Sequence, residues 1–121
     1  MNAAVDALAR NERSITTRSV ELALGRMPEY AARLDAAGRR RCEEDAGFHV
    51  RFLLSALLVE DEAIFTDYAR WVRELLARYG IPASALVVFF DAIADAVAAE
   101  APDAAPATRP YLAAGADAVA G

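Results

Sequence analysis

The residues of this chain best able to do chemistry lie close together in one stretch. Cys42, the sole cysteine, is followed by Asp45 and by His49, the sole histidine. A thiol can attack or be alkylated, a carboxylate can accept hydrogen bonds, and an imidazole can relay a proton or ligate a metal. On a helix each residue advances about 100°, which puts Cys42, Asp45, His49 and Phe52 on one side within roughly a quarter turn. Such a face is either a ligand-facing stripe or an accident of a short polar segment. Arg39, Arg40 and Arg41 precede it and Arg51 follows, so an anionic group could be drawn to either end.

Each of these residues also has a plainer reading. A lone cysteine is most often a small buried hydrophobe. Asp45 could be a solvated carboxylate or a partner for Arg41 or Arg51. The Cys42, Asp45, His49 spacing matches none of the usual structural zinc sets. With no second histidine, nucleophile elbow or phosphate loop, the sequence predicts a binding protein and not an enzyme.

The elements that must position this face are all helical. Residues 2–10 form a short helix ending near Asn11, and a second begins near Ser14, with Thr16 and Thr17 as other candidate caps, and stops at Pro28. Glu29 to Ala37 is a connecting turn or a further short helix with Tyr30 and Leu34 inward. Gly38 punctuates, and a central helix runs from about Arg39 to Val59. Arg39–Arg41 at its start would oppose the helix dipole, which suggests an anionic partner.

Ala63 to Tyr79 spaces Ile64, Phe65, Tyr68, Trp71, Val72, Leu75, Leu76 and Tyr79 by threes and fours, with Trp71 read as core. Gly80 and Pro82 end that helix. Another runs from Pro82 or Ala83 to Glu100, apolar nearly all round at its start, which predicts a central place. Pro102 and Pro106 mark a loop, and a last helix from about Ala107 to Val119 is kinked at Pro110, with Tyr111 and Leu112 inward. The central helix is expected to pack between those carrying Trp71 and Phe89. The fold class is all-α, a single domain over residues 1–121 of about six helices.

Composition bounds the partners. The chain has 121 residues, a net charge of −5, and 13 basic residues that are all arginine. That charge argues against nucleic acid or an anionic membrane. The arginine usage fits a GC-rich genome first and a supply of carboxylate-binding forks second. One cysteine cannot close an internal disulfide, so a reducing cytoplasm is expected. No basic-then-apolar leader opens the chain, and no apolar run reaches about 18 residues, so neither secretion nor membrane spanning is indicated.

The run from Cys42 to Arg51, Cys-Glu-Glu-Asp-Ala-Gly-Phe-His-Val-Arg, resembles the chromophore-bearing helix of phycobiliproteins, whose pattern is a cysteine, an Arg-Asp pair, a short spacer and Leu-Arg. Ala56-Leu57-Leu58-Val59-Glu60-Asp61 is similar to the family's Ala-Leu stretch ending in Gly-Asp. Leu75 to Pro82 resembles its segment closing in Leu-Gly-Val-Pro, Arg26-Met27-Pro28 its Arg-Phe-Pro, and Pro110 to Ala114 part of its last helix.

The resemblance spans about Ser14 to Val119 and implies a globin-like fold with a linear tetrapyrrole site. Cys42 would then be the thioether attachment point and Asp45 the acceptor for pyrrole N–H groups. His49 would line the pocket, with propionates drawn to Arg39–Arg41 or Arg51. Two departures stand out. Glu44 replaces the family's propionate-binding arginine, and the N-terminal helical hairpin that clamps antenna subunits together is missing. The chain looks most like the truncated bilin biosynthesis-associated globins. This implies a carrier for a bilin such as biliverdin or phycocyanobilin, bound more weakly than in antenna subunits because of Glu44, with covalent or non-covalent attachment left open. A bilin-biosynthesis enzyme is an expected partner, and the oligomeric state expected is monomer or homodimer. Haem ligation is not expected, because the later helix that bears a globin's haem ligand has no histidine. The alternative is a chromophore-free interaction or sensory module working through its surface.

Overall fold

The computed structural model describes residues 2–120, and every regular element in them is helical. In order they are α1 (Ala3–Arg10), α2 (Glu12–Arg26), α3 (Pro28–Ala32), α4 (Ala36–Val59), α5 (Glu62–Ala77), α6 (Ala83–Glu100), a 3-10 turn (Pro102–Ala104) and α7 (Ala105–Ala120). The described chain thus has seven α-helices where about six were expected. None is long and apolar enough to cross a membrane.

Local chemistry accounts for the boundaries. Asn2 caps α1 by accepting from the N–H groups of Ala4 and Val5. Asn11 alone separates α1 from α2, which begins at Glu12 and not near Ser14. Asp35 caps α4, its carboxylate accepting the Gly38 N–H at 2.7 Å. Gly38 therefore lies inside the first turn and does not mark a break. A Cβ there would sit 3.1 Å from Leu34 and 3.2 Å from the capping oxygen, so glycine keeps the cap uncrowded. With the start at Ala36, Arg39–Arg41 fall beyond the first three helical residues, and the expected clash with the dipole is largely removed.

Both ends of the α4–α5 pair close in the same way. The Ile81 N–H donates to the Leu76 carbonyl and the Gly80 N–H to that of Ala77, with Gly80 at φ 75°. At the end of α4, Asp61 donates to Ala56 and Glu60 to Leu57, with Glu60 at φ 55° in the left-handed region that favours glycine. Asp61 then caps α5. The expected Pro102–Pro106 loop is instead a 3-10 turn running into α7, because proline is tolerated in a first turn whose N–H groups have no helical partner. The helix continues through Pro110.

α6 lies at the centre with α2 on one side and α7 on the other. Small residues permit these close approaches: Ala92 and Ala96 on α6, Ser19 and Ala23 on α2, Gly115 and Ala116 on α7. A Cβ on Gly115 would collide with the Phe65 ring. The expected packing of α4 between α5 and α6 is corrected. Its nearest backbone neighbours are α2 and α5, and it meets α6 through side chains such as His49 against Phe89 and Phe90. Trp71 is corrected too. It is 60% exposed, because it sits on the flank of an arc centred on Phe65, Tyr68, Ala69 and Val72.

Candidate functional site

Three buried polar side chains are found among the described residues: Ser19, Thr108 and His49. Ser19 and Thr108 are satisfied on their own helices, donating to the carbonyls of Ile15 and Ala104. His49 alone requires another element. Its Nδ1 and the Tyr68 hydroxyl of α5 lie 2.6 Å apart, and its ring meets Tyr68, Phe89 and Phe90 edge-on, with centroids 5.7, 6.4 and 5.4 Å away. Burial pulls the imidazole pKa down to about 4, so it is neutral near pH 7. Burial also holds the Tyr68 phenol protonated well above its usual range, with the Asp45 charge adding to the effect.

The α4 face brings together Cys42, Asp45, His49 and Phe52. Asp45 and His49 each border two spaces. The inner one, about 30 Å³, is enclosed by Tyr30, Cys42, Leu86 and Phe89 among others, and has room for about one water molecule. The outer one is a slot of about 260 Å³ between α4 and α5, walled by Phe48, Phe52, Tyr68, Trp71 and Leu75. Phe52 and Tyr68 stack with centroids 4.1 Å apart and planes 11° from parallel. Trp71 stands 6.4 Å beyond Tyr68. Asp45 is exposed at the rim, yet its pKa is raised, first by partial burial and then by Glu44, with Arg41 opposing.

Cys42 lies at the closed end. It is 7% exposed and packs with Val20, Leu24 and Phe89. Burial raises its pKa and Asp45 adds to this, against the lowering by the neighbouring Tyr30 hydroxyl, Arg39 and Arg41. The group is therefore a thiol near pH 7 and a poor nucleophile. Arg41 lines neither space and acts on Cys42 and Asp45 through its charge, while Arg51 is carried to the opposite flank of α4. There it lies over the Phe48 ring at 4.9 Å and pairs with Glu12 at 3.4 Å. That flank opens into a charged groove of about 750 Å³ against α1 and α2, with Arg10, Arg13, Arg40, Glu43 and Glu44 on its walls and Gly47 among its lining residues.

A linear tetrapyrrole can be tested against these spaces. Covalent attachment at Cys42 does not fit, because the thiol is buried, protonated and faces a space of one water. Non-covalent seating in the outer slot does fit in chemical character, since aromatic walls suit a flat conjugated ligand and Asp45 can accept N–H groups. The slot is slightly smaller than the roughly 300–1,000 Å³ of pockets that enclose drug-sized ligands, so a bilin would be only partly covered. No group of three or more metal-ligating side chains is assembled among the described residues.

Sequence reasoning missed two participants. Tyr68 was read simply as core, although a histidine bound for a core needs a hydrogen-bonding partner, and a tyrosine on an amphipathic face can supply one. Trp71 was placed inside, and nothing in its spacing separates the flank of an apolar arc from its centre. Compared with known proteins, the chain matches no family model, no curated protein and no solved structure.

Proposed function

We propose that this protein is a globin-like carrier that holds a flat, conjugated ligand non-covalently between α4 and α5, and that a linear tetrapyrrole linked to bilin biosynthesis is the ligand. The observation carrying this reading is the coincidence of three aromatic rings, Phe52 stacked on Tyr68 and Trp71 tilted 37° beyond it, with Asp45 at the same slot. The rings supply apolar area and stacking, and the carboxylate accepts from pyrrole N–H groups while the charge of Arg41, felt at Asp45, attracts a propionate. The resemblance around Cys42–Arg51 selects a bilin from among flat ligands, and with it the phycobiliprotein-type globin fold. Cys42 is then a packing residue. The role is binding and not catalysis, since His49 is nearly buried, neutral and engaged by Tyr68.

The test is an absorbance titration with biliverdin at micromolar protein. Wild type should shift and intensify the long-wavelength band. Trp71→Ala should weaken affinity roughly two- to tenfold through lost stacking, Asp45→Asn should alter the band, and Cys42→Ser should bind as wild type with no covalent adduct on a denaturing gel. No spectral change with wild type rejects the carrier reading.

A second reading then takes its place: the same exposed rings form a protein-docking surface in a chromophore-free module. Trp71 at 60% and Phe48 at 49% exposure favour it, because exposed aromatics are enriched where partners bind. A bilin-making enzyme is the partner to try first, by pull-down with wild type and Trp71→Ala. In either reading the protein is a monomer or a homodimer, which light scattering distinguishes.

A further inference from the structure

We infer that Tyr68 holds His49 as the neutral tautomer protonated on Nε2, so that the histidine offers its surroundings a hydrogen-bond donor and not a lone pair. The ligand group that matches is a carbonyl oxygen. Identifying it as a lactam oxygen of a bilin rests on the carrier reading above.

His49 is 3% exposed, and its only hydrogen bond among the described residues is the one between Nδ1 and the Tyr68 hydroxyl. The Tyr68 hydroxyl likewise has no other partner among the described residues. If Nδ1–H were the donor, the phenolic proton would be left without an acceptor and the Nε2 lone pair without a donor. If the phenol donates to Nδ1, one group remains to be satisfied, Nε2–H. The phenol is also the more acidic of the two donors, and burial keeps it protonated while keeping the imidazole neutral.

The remaining nitrogen is not sealed in. No fully enclosed side-chain nitrogen or oxygen among the described residues lacks a hydrogen bond, so Nε2, which has none, opens onto space that His49 borders. A nearly buried imidazole with one edge fixed and the other free is a preset recognition element. Protonated on Nε2, it pairs with an acceptor, whether a carbonyl oxygen or a water that such an oxygen displaces. It cannot coordinate haem iron or zinc through Nε2 without first moving that proton to Nδ1 and reversing the Tyr68 hydrogen bond. Tyr68 thus acts as a positioning residue for His49.

The single histidine makes the test direct. A two-bond 15N–1H correlation spectrum of uniformly labelled protein contains one imidazole. In wild type at pH 7 the expected pattern is a protonated Nε2 and an unprotonated Nδ1. In Tyr68→Phe, which keeps the ring and its stacking on Phe52, the Nδ1 resonance should move toward the protonated position as the preference is lost. Wild type showing Nδ1–H, or Tyr68→Phe showing the wild-type pattern, overturns the inference. Saturating biliverdin is then added. A downfield shift of the Nε2–H proton supports the carbonyl assignment. A changed absorbance spectrum with an unmoved Nε2–H overturns that assignment while leaving the carrier reading intact. No absorbance change overturns the carrier reading and the bilin assignment, whereas the tautomer in the free protein still decides the role of Tyr68.

Discussion

The two flanks of α4 receive polar side chains of similar kinds and treat them in opposite ways. Toward α5 and α6, Cys42 and His49 are withdrawn from water, Asp45 sits at the rim, and all three have pKa values moved by burial. Toward α1 and α2, Arg40, Glu43, Glu44 and Arg51 border an open groove, where the ion pair of Arg51 with Glu12 is 3.4 Å long and half solvated. The first flank has the larger rings opposite it, Tyr68, Phe89 and Phe90, which exclude water and make each polar group depend on a specific partner. The second has arginines and threonines opposite it, so water screens whatever is placed there. A chemically selective site is expected where desolvation has already been imposed, and the groove's greater size does not compensate for its wetness.

The largest expected effect on this contrast comes from acid. His49 titrates near 4 in the folded protein and near 6.5 when unfolded. The unfolded chain therefore takes up a proton over that window that the fold excludes. Stability from this source is complete above pH 6.5 and falls as the pH drops toward 4, by about 3 kcal/mol. Asp45, with its raised pKa, acts in the opposite sense and loses stability as pH rises through its own range. Urea unfolding of wild type and His49→Gln across pH 4–7 separates the two, and equal slopes for both proteins would refute the assignment to His49.

Removing the partner is the next largest change. Tyr68→Phe leaves a buried nitrogen without its hydrogen bond and should cost about 1–3 kcal/mol at pH 7. A loss within experimental error would mean that the flank tolerates an unpaired imidazole.

The end of α4 belongs to neither flank and calibrates them. Glu60 adopts φ 55° where glycine is favoured, so Glu60→Gly should raise stability by about 1 kcal/mol without touching either face. A decrease in the unfolding midpoint would show that the glutamate has a compensating role.

Smallest of all is the open flank. A double-mutant cycle on Arg51→Ala and Glu12→Ala should give a coupling of about 0.5 kcal/mol at low salt, vanishing near 1 M salt. A coupling above 2 kcal/mol would abolish the distinction between the flanks.

Much of this architecture was legible in the residues themselves. Helix-forming composition, Asp61 and the Gly80–Pro82 stop, and the three-and-four spacing of Phe65, Tyr68 and Val72 specify helices and their buried arcs, because those signals act within a turn or two of chain. The shared face of Cys42, Asp45 and His49 follows from helical spacing alone. Other features were not legible. Trp71 was assigned to the core, the proline-rich segment after Glu100 to a loop, and Arg51 to the same site as Cys42.

The sequence by itself determined that Cys42, Asp45, His49 and Phe52 share one side of α4, since 100° per residue is a local rule. Only the tertiary structure decided which neighbour each side meets. It put Tyr68 against His49, closed Cys42 behind Phe89, left Trp71 at the edge of the slot and turned Arg51 toward Glu12. Desolvation, hydrogen-bond partnership and cavity shape depend on residues distant in the chain, and those are brought together only when the helices pack.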